Sequence, residues 1–115
     1  MGDIMFEGAI IEGEARFYGV KIQGDALFNN ATIKGDALFR SATIKGDTLF
    51  NNATIKGDTT FWGATLERKV TFEGATIEGD AKFWGATVGG DATFEGAFIK
   101  GNACAVFRNL RTCPL

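Results

Sequence analysis

Phenylalanine recurs at Phe6, Phe17, Phe28, Phe39, Phe50, Phe61, Phe72, Phe83 and Phe94, nine times at a spacing of eleven. A second series falls five residues after each ring: Ile11, Ile22, Ile33, Ile44, Ile55, Leu66, Ile77, Val88 and Ile99. Any fold of this chain must give equivalent positions equivalent environments, which is the demand a repeat architecture meets. The stretch Gly24 to Phe61 shows the unit most plainly, as G-D-A-x-F-x-x-A-x-I-x with small edits, and the register runs from Asp3 to Gly101 without an insertion.

Two residues before each large side chain sits a small or β-branched one, as in Ala26-Leu27-Phe28 and Ala31-Thr32-Ile33. That alternation has the period of an extended chain, so both apolar side chains of each pair point to one side. The extended pieces are only three or four residues long, and residues that turn a chain separate them. Gly8, Gly19, Asn30, Ser41, Asn52, Gly63, Gly74, Gly85 and Gly96 follow the rings by two, and Gly-Asp precedes most units. Gly and Asn tolerate positive φ, and Asp is expected to bond nearby amides. Strands this short cannot pair usefully in hairpins. They can wind, each pairing with its counterpart one coil away at about 4.8 Å. Helix is disfavoured, since each interior Gly costs about 1 kcal/mol relative to Ala.

Ala-x-Phe-x-Asn/Gly followed by Ala-x-Ile-x-Gly resembles the pentapeptide-repeat proteins over residues 4 to about 101. The resemblance implies an all-β fold, a right-handed quadrilateral parallel β-helix. One departure is systematic: an extra residue, usually Asp, follows every second pentapeptide, giving 5 + 6. The exposed residue after each Phe tests whether a coil holds one unit or two. The series reads Glu7, Tyr18, Asn29, Arg40, Asn51, Trp62, Glu73, Trp84, Glu95. At lag 11 none of eight pairs is identical, whereas at lag 22 three of seven are. Two units per coil are expected, about 22 residues and four faces each, in four to five coils over residues 1–102.

Two interruptions stand out. Arg68-Lys69 replaces one Gly-Asp corner, either because that corner accepts other residues or as a basic contact. Beyond Gly101 the period lapses, with Ala105 where Phe is due and Phe107 displaced, so residues 103–115 read as a C-terminal capping segment. No such segment covers the N-terminal coil, so an end-to-end homo-oligomer through its unpaired edge is an expectation.

Chemistry finds little purchase here. The 115 residues contain no His, which excludes His-based triads and metal sites. Cys104 and Cys113 are too few for a thiolate zinc site and are expected to stay reduced. The regular Asp residues are better explained by corners than by catalysis, so no cofactor, metal or enzymatic activity is expected. Twelve basic against fourteen acidic residues leave a net charge of −2, which advertises neither nucleic-acid binding nor an anionic membrane. No secretion signal or apolar span is visible, and a cytoplasmic location is the expectation.

Surface columns carry what functional signal there is. Four faces would align Tyr18, Arg40, Trp62 and Trp84 on one face, and Glu7, Asn29, Asn51, Glu73 and Glu95 on the opposite one. Exposed Trp with an interleaved Arg either stacks upon itself or makes a binding stripe. The leading expectation is a non-enzymatic scaffold offering flat faces to a protein partner not identified by the sequence. The family resemblance adds an alternative, a DNA-mimicking gyrase binder, which the weak net charge and short rod disfavour. An ice-binding protein, from the Thr series Thr32 to Thr87, or a designed repeat protein are minor alternatives; strand propensity accounts for those Thr residues more simply.

Overall fold

The structure, a computed structural model, describes residues 2–106 and 111–112. The chain winds into a β-solenoid whose short strands form four parallel sheets. The first face stacks Ile4–Met5, Ala26–Leu27, Thr48–Leu49, Val70–Thr71 and Ala92–Thr93. The second stacks Ile10–Ile11, Thr32–Ile33, Thr54–Ile55, Thr76–Ile77 and Phe98–Ile99. Ala15–Arg16, Ala37–Leu38, Thr59–Thr60, Ala81–Phe83 and Ala103–Val106 make the third, with Arg111–Thr112 added antiparallel to its last strand. Lys21–Ile22, Thr43–Ile44, Thr65–Leu66 and Thr87–Val88 make the fourth. Every parallel partner lies 22 residues away, as in Ala26↔Thr48 and Thr54↔Thr76, so two units do complete one coil.

The interior follows from the alternation. Phe28, Phe39, Phe50, Phe61, Phe72 and Phe83 are fully buried, with Ile22, Ile33, Ile44, Ile55, Leu66 and Ile77 beside them. Rings one coil apart lie parallel, 4.7 Å and 1° for Phe28–Phe50, while rings within a coil meet edge to face, 5.9 Å and 90° for Phe39–Phe50. Both are favoured aromatic geometries, so identical rings reinforce one another along and across the stack. The order loosens in the first coil, where Phe6 and Phe17 are half-buried and meet at 54°. Two interior small positions carry Thr48 and Thr59, whose hydroxyls are buried and find no partner among the described residues.

Two kinds of edge alternate between the faces. At the edges after each Phe the backbone turns through positive φ, which explains Gly, Asn and, at Ser41 with φ 60°, a less comfortable Ser. The Gly-Asp edges work differently from expectation. Their glycines are not in the left-handed region; they are Gly because neighbouring coils approach too closely for a Cβ. A Cβ on Gly57 would lie 2.9 Å from both the Asp36 amide nitrogen and the Gly35 carbonyl carbon, and would collide with Oδ1 of Asp36. The Asp side chains do not bond within their own turn either. Oδ1 of Asp36 accepts from the Asp58 amide at 2.7 Å, that of Asp58 from Asp80 at 2.8 Å, and that of Asp80 from Asn102 at 2.8 Å. Gly and Asp are thus one interlocking device, an acceptor leaning over a residue that has no side chain to obstruct it.

Candidate interaction surface

The residue after each Phe opens a turn, and this corrects its expected placement. Tyr18, Arg40, Trp62 and Trp84 run along the edge between the third and fourth faces, and Glu7, Asn29, Asn51, Glu73 and Glu95 along the diagonally opposite edge. Neither column lies on a flat face, because each of these residues is the first of a two-residue turn whose second residue takes positive φ.

The aromatic edge is held by backbone bonds between coils: the amides of Gly19, Ser41 and Gly63 donate to the carbonyls of Arg40, Trp62 and Trp84 at 2.9, 2.8 and 3.0 Å. With the backbone fixed, the side chains project in file. Arg40 lies over the Trp62 ring, its Cζ 4.7 Å from the centroid, a cation–π distance. Trp62 and Trp84 meet at 6.4 Å and 46°, far from the flush stacking of the interior rings. Tyr18 is 55%, Trp62 45% and Trp84 47% exposed. The column therefore touches itself without closing, and much of each indole remains open to solvent.

The opposite edge is less uniform than its spacing implied. Glu7, Glu73 and Glu95 are exposed, but Asn29 and Asn51 are half-buried. Oδ1 of Asn29 accepts from the Asn51 amide at 2.9 Å, which makes Asn29 a part of the scaffold.

Among the described residues no group of three or more His, Cys, Asp or Glu is placed to hold a metal ion. The thiol pair Cys104 and Cys113 lies outside the described side chains. The ion pairs Lys34–Glu12 at 3.2 Å and Lys82–Asp58 at 3.8 Å join residues of neighbouring coils on the surface. Arg16 donates to Glu14 at 2.7 Å, and that bond pushes the guanidinium pKa further above a value already out of physiological reach. A shallow groove follows the edge that carries Arg68 and Lys69, lined also by Lys45, Asp47, Glu67 and Asp91, in mixed charge. The Thr residues divide as expected into Thr32-Thr54-Thr76 on the second face and Thr43-Thr65-Thr87 on the fourth.

Sequence reasoning missed three exposed apolar side chains, Met5 at 68%, Ile10 at 64% and Phe98 at 57%. The signal was present: Ile10 and Phe98 occupy the outward position that Thr fills in most other units.

Residues 17–65 and 61–103 match the sequence model of the family described as pentapeptide repeats (9 copies). The chain belongs to the pentapeptide-repeat family. No curated protein and no solved structure matches this pentapeptide-repeat chain. Among its described residues no helix is long and apolar enough to cross a membrane. The family and the fold fit a repeat scaffold, in which identical coils supply rigidity and the outward positions are free to vary.

Proposed function

We propose that this pentapeptide-repeat protein is a non-enzymatic scaffold that docks a protein partner along the edge formed by Tyr18, Arg40, Trp62 and Trp84. The observation that carries the reading is the half-open Trp62–Trp84 pair with Arg40 over Trp62. Trp, Tyr and Arg are the residues most enriched among those that dominate protein–protein binding energy, Trp and Tyr because they present a large contact area at low entropic cost and Arg because its planar guanidinium both hydrogen-bonds and stacks on aromatic faces. A rigid coil beneath them removes the ordering penalty a flexible loop would bring.

The test is affinity capture from source lysate with the wild-type protein and the double variant Trp62→Ala/Trp84→Ala. A specific partner retained by the wild type and lost by the variant, with an unchanged thermal melt, supports the reading. Equal capture by both proteins returns the column to a purely stabilising role. A gyrase supercoiling assay separates this reading from DNA mimicry: inhibition at micromolar protein that survives the double Trp substitution would replace the scaffold reading.

A further inference from the structure

We propose that the second face is a self-association surface, on which two copies of this chain pack as an antiparallel, two-fold dimer. Three columns of residues line that face. The central one is Ile10, Thr32, Thr54, Thr76 and Phe98, in register by strand pairing and outward of the buried or half-buried Ile11, Ile33, Ile55, Ile77 and Ile99. Its two ends are its most exposed apolar side chains, Ile10 at 64% and Phe98 at 57%. Beside it runs a charged column, Glu12, Lys34, Lys56, Glu78 and Lys100, exposed throughout; the Lys34–Glu12 pair at 3.2 Å shows that successive members adjoin. The third column, Gly8, Asn30, Asn52, Gly74 and Gly96, is low and uncharged.

A two-fold axis along the strand direction through Thr54 reverses the solenoid axis and lays each column on itself. Ile10 then meets Phe98 of the second copy, and Thr32 meets Thr76, so the apolar ends cover each other and the small Thr residues fill the middle. The charged column becomes a complementary rim: Glu12 faces Lys100, Lys34 faces Glu78, and only Lys56 faces its like, on the axis itself. The interface is isologous and closes at two copies. A parallel arrangement lacks this match, because its axis sets the charged column against the Gly and Asn column.

The same operation fails on the other faces. On the first it opposes Glu7 to Glu95, Asp3 to Asp91 and Asp47 to itself, against one opposite-charge correspondence, Asp25 with Lys69. On the third it opposes Asp36 to Asp80 and Asp58 to itself. On the fourth it yields one opposite-charge correspondence, Lys45 with Glu67, and no pair of exposed apolar ends. Like charges brought together in this way suppress wrong pairings more strongly than rim attractions add affinity.

The five stacked strands make a face roughly 19 Å tall and roughly 13 Å wide. That is below the ~800 Å² per partner of a standard stable interface, so the dimer is a concentration-dependent equilibrium and not an obligate assembly. Sedimentation of the wild-type chain across micromolar to millimolar concentrations should show a monomer–dimer equilibrium that weakens as salt rises. Phe98→Ser should weaken it at least about tenfold, the scale of a buried aromatic anchor, while an exposed site leaves the melt unchanged. Lys34→Glu should weaken it by a smaller factor. Adding Glu78→Lys to that variant should restore it, since the swapped pair again sets opposite charges face to face. Replacing Lys56 by Gln should tighten it. A chain that stays monomeric at the highest concentration overturns the proposal. So does association unaffected by Phe98→Ser and by the charge reversal, which would assign it to another surface such as the solenoid end at Phe6 and Phe17.

Discussion

The two Gly-Asp edges of the solenoid share one design and differ in one coil. Between the second and third faces, Gly35-Asp36, Gly57-Asp58 and Gly79-Asp80 repeat without interruption. Each Asp carboxylate there takes the amide of its counterpart one coil on, and the Gly amides add a backbone ladder at 3.0 to 3.1 Å. Between the fourth and first faces the ladder begins in the same way, the Asp25 amide donating to Oδ1 of Asp3 at 2.8 Å and the Asp47 amide to Oδ1 of Asp25 at 2.7 Å. It then meets Arg68-Lys69 and stops: among the described residues nothing accepts from the Lys69 amide. The Gly46 site shows the reason. Its absent side chain leaves room for the Asp25 carboxylate, whereas the equivalent position one coil on, 22 residues later, is Arg68, which carries a Cβ. Where the ladder is broken, the next backbone rung lengthens to 3.3 Å, from the Gly90 amide to the Arg68 carbonyl. One Cβ therefore removes a bond made by a residue 21 positions earlier.

The interior beneath both edges is common to them, so the largest effect should come from breaking it. Phe50→Ala deletes a ring stacked on Phe28 at 4.7 Å and on Phe72 at 4.8 Å. It should lower stability by about 3–5 kcal/mol. Urea unfolding should show both edges lost together, and an edge that survives would make the coils independent.

Glycine substitution separates the edges next. Gly57→Ala forces a Cβ to within 2.9 Å of the Asp36 amide and the Gly35 backbone. The coils must part or the carboxylate must swing away, at about 1–3 kcal/mol. Arg68→Ala, at the edge already opened, should stay within about 0.5 kcal/mol of wild type. Equal losses at the two sites would show that the interlock contributes nothing.

The repeat, the coil length and the interior were legible because each rests on identity at fixed spacing. Nine Phe at one period define the unit, and the identities Asn29/Asn51, Trp62/Trp84 and Glu73/Glu95 at a spacing of 22 mark the doubled coil. The direction of the Asp bonds was not legible. An acceptor whose partner lies 22 residues away leaves the same local pattern, Gly-Asp, as one that caps its own turn. Nor did spacing show whether the position after Phe falls on a face or an edge, since that depends on where positive φ bends the chain at Asn30 and Ser41. The outward Ile10 and Phe98 were visible as departures from Thr, but only the register places them at opposite ends of one column.

A smaller contrast tests the acceptors themselves. Asp58→Ala removes the rung to the Asp80 amide and the weak ion pair with Lys82, whereas Asp47→Ala removes no rung above it. The Asp58 side chain is 40% exposed, so solvent discounts the bond and the loss should be near ~1 kcal/mol. Asp47→Ala should lie within about 0.5 kcal/mol of wild type. Amide exchange gives a second readout: Lys69 should already exchange faster than Asp58 and Asp80 in the wild type, and Asp80 should join it in Asp58→Ala. Slow exchange at Lys69 would mean that the broken edge holds its amide by other means.

Repair should give the smallest effect and the most specific. Arg68→Gly/Lys69→Asp restores the unit sequence, clears the space above Asp47 and supplies an acceptor beneath Asp91. Two carboxylate-to-amide rungs become available, but both would be partly solvated, and the introduced glycine adds conformational entropy to the unfolded chain. The net gain should be about 0.5–1 kcal/mol, read as a higher urea midpoint with an unchanged slope. Slowed exchange at positions 69 and 91 would tie that gain to the ladder itself. Stability that rises without protection at those amides would place the gain in the removed cationic pair, and the interlock of Gly with Asp would lose its explanation for the difference between the edges.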